Sequence, residues 1–171
     1  MFKNIILTGF MGVGKTSVGT RLASDVGFTF VDTDLLIEAD QKMTITEIFA
    51  KLGEPHFREV ETKIIGQVMQ GERQVVSTGG GAVIREANRE AFKKAGLVVC
   101  LTARPETIYD RIRRETHRPL LQTPDPPAKI RELLDGRAKF YAQADVIIDT
   151  SDKTVDEVIT AIKERVKRAY C

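Results

Sequence analysis

Gly9-Phe10-Met11-Gly12-Val13-Gly14-Lys15-Thr16 fits the phosphate-binding pattern G-x-x-x-x-G-K-[ST] at every fixed position. The apolar, β-rich run Asn4 to Thr8 precedes it, and Thr16 to Val26 follows with Val18, Leu22, Ala23 and Val26 at helical spacing. Strand, glycine loop, helix is the context this motif requires. Gly9, Gly12 and Gly14 allow the backbone to form a nest of N–H groups, and the helix start adds the positive end of its dipole. A P-loop so placed is expected to bind nucleotide phosphates through Gly12, Val13, Gly14, Lys15, Thr16 and Ser17. Lys15 reaches the β- and γ-phosphates, and the Thr16 hydroxyl ligates Mg²⁺.

Four further apolar runs read as strands: Thr29 to Val31, Gln74 to Ser77, Leu97 to Thr102 and Asp145 to Asp149. Helical patterns separate them, which predicts one α/β domain with a five-stranded parallel sheet flanked by helices. The strands are nearly continuous in Val, Ile and Leu, as expected of a sheet covered on both faces. Ligands of such sheets bind beyond the carboxyl ends of the strands, so the loops after strands one to three should share a rim. These are the P-loop, Asp32-Thr33-Asp34 and Thr78-Gly79-Gly80-Gly81. The segment from Thr44 to Gln70 predicts two helices with a bend at Gly53 and Pro55. Helices are also expected over Arg85 to Ala95, Arg104 to Glu115, Ala128 to Ala142 and Val155 to Tyr170. Arg118 to Pro127 is proline-rich and aperiodic, and is expected to be a mobile lid.

At 171 residues, 42% hydrophobic and 29% charged, the chain has the makeup of one ordinary globular domain. A formal net charge of +2 does not suggest a nucleic-acid partner. No apolar run approaches the roughly 20 residues of a membrane span, and Met1 leads directly into a strand, so a cytoplasmic protein is expected. Cys100 and Cys171 have neither metal-ligand spacing nor a disulfide framework.

Phosphoryl transfer asks a protein to hold nucleotide and metal, align the acceptor hydroxyl and neutralise charge. Asp32, after the second strand, is the preferred carboxylate near Mg²⁺, acting through water. Asp149 also follows an apolar strand, but the last strand is expected away from the phosphates. Asp34 fits two roles equally well, acceptor of the substrate hydroxyl proton or helix cap. Three successive glycines suggest close backbone approach to a ligand or an otherwise forbidden turn. Arg58, Arg118 and Arg137 suit bidentate contact with carboxylate or phosphate, although spacing alone does not raise them above surface arginines. Arg58 and Glu61 lie three apart, on one helix face.

The ordered set of motifs resembles the bacterial shikimate kinases. It comprises Gly9 to Thr16, Asp32-Thr33-Asp34, Gly53 to Glu61, Ser77 to Val83, Arg118-Pro119-Leu120-Leu121 and Arg137 to Tyr141. The resemblance implies a single-domain, three-layer P-loop kinase fold over residues 1–171, with acceptor-binding helices near 33–61 and a lid near 112–127. It also implies ATP-dependent phosphorylation of the shikimate 3-hydroxyl, with one Mg²⁺, on the route to chorismate and the aromatic amino acids. Asp34, Lys15 and Arg118 would be catalytic, with Arg118 closing onto the ATP phosphates. Arg58 and Arg137 would grip the shikimate carboxylate, supported by Glu61, while Gly80 and Gly81 approach the ring hydroxyls through their backbone. Thr16, Asp32 and Ser77 would serve Mg²⁺ directly or through water. A monomer without nucleic-acid or membrane partners is expected. The resemblance does not say which of Arg111, Arg113 or Arg114 meets adenine.

Three other functions compete. A gluconate kinase shares the loop and lid logic, but the joint presence of Asp34, Arg58, the glycine triplet and Arg137 argues for a different acceptor. A GTP switch would need an Asn-Lys-x-Asp string, which is absent. A nucleic-acid-binding ATPase is opposed by the near-neutral charge.

Overall fold

A computed structural model describes residues 2–115 and 122–168. Five parallel strands form one sheet: β1 (Asn4–Thr8), β2 (Thr29–Asp32), β3 (Gln74–Ser77), β4 (Gly96–Thr102) and β5 (Val146–Asp149). Their order across the sheet is β2-β3-β1-β4-β5. All five residues of β1 are buried, because this strand is central and covered on both faces. In register, Ile6 lies between Val76 and Val98. Alternation along β1 sends Ile5 and Leu7 to one core cluster, with Val18, Leu22, Ile108, Ile112, Val158 and Ile162. Ile6 faces the other cluster, with Ile65, Phe92, Cys100 and Tyr141.

The helices are α1 (Lys15–Val26), α2 (Thr33–Gln41), α3 (Ile45–Val68), α4 (Glu86–Ala95), α5 (Pro105–Ile112), α6 (Pro126–Tyr141) and α7 (Val155–Arg168). The bend expected in α3 is present: Gly53 sits at φ 84° and ψ 164° inside an otherwise continuous helix, two residues before Pro55. Thr44 opens α3 with a capping box to Glu47. A third, smaller apolar cluster of Ile37, Ile48, Phe57, Val60 and Ile64 locks α2 against α3. The residues that follow β2 are therefore held on a rigid pair of helices. Among the described residues no helix is long and apolar enough to cross a membrane.

Two expected boundaries change. The crossover helix expected over Arg104 to Glu115 stops at Ile112. Pro126 and Pro127 do not belong to an aperiodic lid; they open α6, capped by the Asp125 carboxylate, which accepts from the Ala128 N–H. Proline suits a first helical turn, where its missing N–H has no partner to lose. Of the expected lid, residues 116–121, including Arg118, lie outside the described residues.

Gly9 is where β1 leaves the sheet, and its backbone shows why the motif starts with glycine. It has φ +133°, and a Cβ there would collide with the Leu101 carbonyl oxygen of β4. Gly9→Ala is expected to lower stability by about 3 kcal/mol or more in denaturant unfolding. Gly136, exposed within α6 with open space around its Cα, makes the opposite case. Gly136→Ala is expected to raise stability by roughly 0.5–1 kcal/mol. Equal effects at the two positions would contradict the close approach described for Gly9.

Candidate active site

The carboxyl ends of β1, β2 and β3 bring three loops to one rim, as the parallel topology requires. In the loop after β1, carbonyl groups are tied up one after another. Lys15 Nζ donates to Gly9 O at 2.7 Å and Phe10 O at 2.8 Å. Arg111 Nη1 donates to Gly12 O at 3.0 Å, and Thr150 Oγ1 donates to Val13 O at 2.9 Å. In a trans peptide C=O and N–H point in opposite directions, so the N–H groups on these planes point away from the tethered carbonyls. The start of α1 adds to this. Its N-cap, Gly14, is left-handed and offers no side chain to the first-turn N–H groups, and no acidic residue lies in that turn. Thr16 and Ser17 are exposed on the same turn.

Asp32 and Asp34 divide their roles clearly. Asp32 Oδ1 accepts from the Asp34 N–H at 2.9 Å and the Leu35 N–H at 3.4 Å, so Asp32 caps α2. Asp34 is left in the first turn with its Oδ1 buried and without a hydrogen-bond partner among the described residues. Burial, aided by the negative charges of Asp32, Glu61 and Glu38, raises the Asp34 pKa to about 6, against the opposing pull of Lys15. These same influences place Asp32, Asp34 and Lys15 in one electrostatic neighbourhood.

Strand order does not separate Asp32 from Asp149, since β2 and β5 are each two strands from β1. Contrary to the expectation of a remote last strand, β5 is no farther from β1 than β2 is. Surroundings do separate them: Asp149 accepts from the Ser151 N–H at 2.8 Å and is held below the usual carboxylate range by Ser151, with help from Lys153 and Arg104. Among the described residues no three His, Cys, Asp or Glu side chains form a metal cluster. Thr16 and Asp32 are sparse oxygen donors of the kind that suits an ion retaining water and bound to phosphate.

The three glycines after β3 each face a different charged group. A Cβ on Gly79 would lie 2.9 Å from Asp34 Oδ1 and 3.0 Å from Glu61 Oε1. One on Gly80 would lie 3.4 Å from Arg137 Nη1 and from the Met11 N. One on Gly81 would run into the Arg58 guanidinium, 2.8 Å from its Cζ. The triplet is therefore a close approach of backbone to charge, and a Cβ at Gly81 would require the Arg58 guanidinium, held by Glu61 and Glu54, to move.

Glu61 is fully buried and accepts from Arg58 Nη1 at 2.8 Å. Burial pushes its pKa up, opposed by Arg58, Arg85 and Arg137. Arg58 is mostly buried and reaches Glu54 at 3.3 Å. Arg137 lies over the Phe10 ring, 5.5 Å from its centroid, and its Nε is buried without a partner among the described residues. Two guanidinium groups, from α3 and α6, thus flank the glycine triplet, with a protonatable carboxylate beside them. This arrangement can hold one anionic group and one hydroxyl.

Arg111 is fixed by Gly12 O and by Thr150, with Nη2 donating to Thr150 O at 2.9 Å. Arg113 pairs loosely with Asp110 at 3.6 Å. Sequence reasoning missed the Arg111–Thr150 brace of the P-loop because its partners are far apart along the chain. Burial raises the Cys100 thiol to about 11, which leaves it an inert core residue.

Residues 11–167 match the family described as shikimate kinase. The shikimate kinase of Thermodesulfovibrio yellowstonii is 46% identical over 97% of this chain and 96% of its own length. That of Geobacter metallireducens is 49% identical over 94% of this chain and 89% of its own. The structure of shikimate kinase from Acinetobacter baumannii in complex with shikimate superposes with a TM-score of 0.94 and 37% identity, covering 99% of this chain and 95% of that one. A gluconokinase from Sinorhizobium meliloti superposes with a TM-score of 0.58 at 16% identity, a likeness of fold alone.

Proposed function

The chain belongs to the shikimate kinase family, and on that premise we propose how its residues divide the reaction, the ATP-dependent phosphorylation of the shikimate 3-hydroxyl in aromatic amino-acid biosynthesis. The observation that carries the assignment is the glycine triplet set against Asp34, Arg137 and Arg58. Arg58 and Arg137 bind the shikimate carboxylate, Glu61 holds Arg58 in place, and the Gly80 and Gly81 backbone meets the ring hydroxyls. Asp34 accepts the proton of the 3-hydroxyl as its oxygen bonds to the γ-phosphorus and the bond to the β–γ bridging oxygen breaks. Lys15, with the loop N–H groups and α1, neutralises charge on the transferring and leaving phosphates.

Thr16, and Asp32 through water, would hold Mg²⁺, which draws charge from the phosphate oxygens when bound. Asp32 Oδ1 is committed to capping, which fits a role through water better than direct ligation. Arg118 closing onto the phosphates, from a lid near 112–127, rests on family membership. We propose a monomer, and place it in the cytoplasm because its co-substrate is ATP.

The test is at the carboxylate. Arg58→Lys and Arg137→Lys keep the charge but lose the planar two-point contact, so each should weaken shikimate binding by roughly 2 kcal/mol or more. ATP binding should hardly change. An analogue lacking the carboxylate should be a poor acceptor, and its residual reaction nearly insensitive to either change. Titration calorimetry and steady-state kinetics read these quantities. Unchanged shikimate affinity in both variants would remove the arginine clamp.

A further inference from the structure

The Tyr141 hydroxyl donates to Gly80 O at 2.6 Å, across 61 residues of chain. Its ring is buried in the core cluster beneath the glycine loop, with 6% of its surface exposed. Tyr141 lies one helical turn from Arg137 on α6, so one helix face presents both groups to Gly80.

This contact completes a pattern. Gly79 O accepts from the Ala82 N–H at 3.1 Å, and Gly81 O accepts from the Ile84 N–H at 3.1 Å. Ala82 O accepts from Asn88 Nδ2 at 2.9 Å, and Arg89 Nη1 donates to both Val83 O and Ile84 O at 2.8 Å. Every carbonyl from Gly79 to Ile84 is thus held by the protein, and Gly80 O is held by Tyr141. The C=O of Gly80 and the N–H of Gly81 share one trans peptide plane and point in opposite directions. Fixing the carbonyl against α6 fixes the direction of the Gly81 N–H.

We infer that Tyr141 is a positioning residue that aims the Gly81 N–H at the acceptor. This rests on the acceptor reading above, in which the Gly81 backbone meets the shikimate ring. Burial pushes the phenol up to about 12, so it remains a neutral donor throughout the working range. The hydroxyl spends its proton on Gly80 O. The hydroxyl also faces Arg137, one turn away, and its effect on the peptide plane, which glycine would otherwise leave free to rotate, is the part that the Gly81 amide reads.

Tyr141→Phe keeps the ring and removes only the donor. In the full-length enzyme with saturating ATP, the KM for shikimate should rise about tenfold, while the KM for ATP stays within about twofold. Ile130→Val, also buried on α6 but remote from Gly80, should lower the melting temperature comparably and leave the shikimate KM unchanged. Should Tyr141→Phe fail to fold, the unsubstituted enzyme labelled with ¹⁵N-glycine supplies the reading. Shikimate should shift the Gly81 amide proton strongly downfield and leave that of Gly27 in place. An unchanged shikimate KM in folded Tyr141→Phe, or an unmoved Gly81 amide, would overturn the inference while wild-type turnover of shikimate left the function standing. Absence of wild-type turnover would instead overturn the function.

Discussion

Replacing Lys15 by alanine should lower turnover by about 10³-fold with the fold intact. The side chain bridges Gly9 O and Phe10 O at the mouth of the P-loop, and as the motif's lysine it is proposed to meet the negative charge that accumulates between the phosphates. Nothing else in the loop supplies a full positive charge. The glycines and the α1 start contribute oriented N–H groups, which explains why ATP should still bind, though more weakly. The two lost hydrogen bonds leave carbonyls at a part-buried surface that water can reach, so the melting temperature should fall only modestly. Single-turnover kinetics beside circular dichroism separates the two effects. Near-normal turnover in a folded variant would take Lys15 out of the mechanism. A secondary effect should be measurable, because Lys15 opposes the upward shift at Asp34. Its removal should raise the pH at which any residual activity appears.

Asp34→Asn should lower kcat by about 10²- to 10⁴-fold while weakening ATP binding little, since it keeps the shape and removes the proton acceptor. The same change should stabilise the fold. Asp34 has a folded pKa of about 6, above the ordinary value of 3.8, so between those values the folded state binds more protons than the unfolded one. Its contribution to stability therefore falls as pH rises from about 4 to 6, and a constant penalty of up to about 3 kcal/mol remains above 6. Asn carries no charge and escapes this penalty. At pH 7.5 the variant should melt higher than wild type, and at pH 4 the gain should vanish. In wild type, kcat/KM for shikimate should fall below about pH 6 as Asp34 is protonated, and the variant's residual activity should lack that limb. A variant with wild-type turnover, or one that melts lower at pH 7.5, would remove the buried charge from the account.

The fold was legible because its signals are local and redundant. Ile5, Ile6 and Leu7 announce a strand covered on both faces, and Gly9 to Thr16 is readable without any tertiary contact. Gly53 and Pro55 mark their bend by backbone chemistry alone. Boundaries failed where a local signal admits two readings. Pro126-Pro127 breaks a helix interior but starts a helix equally well, and the decisive Asp125 cap is one residue upstream. The competition over Asp34 was decided the same way, since either carboxylate of Asp32-Thr33-Asp34 could cap and only the backbone shows Asp32 doing so. The Tyr141–Gly80 tether and the Arg111–Thr150 brace were invisible because they join residues separated by 61 and 39 positions. The convergence of Asp34 and Glu61 on Gly79 has the same origin. Sequence spacing states which residues share a helix face, but only packing states which two helices meet.

The triplet, Asp34 and the two arginines are proposed to select shikimate on a scaffold shared with a gluconokinase. ATP consumption by the wild-type enzyme with shikimate, with gluconate and with no acceptor, followed by phosphorus and carbon NMR of the product, tests that selection. Rapid consumption is expected with shikimate alone, with slow background in the other two and the phosphate on the 3-hydroxyl. Equal or faster consumption with gluconate, or a phosphate found on another hydroxyl, would contradict it.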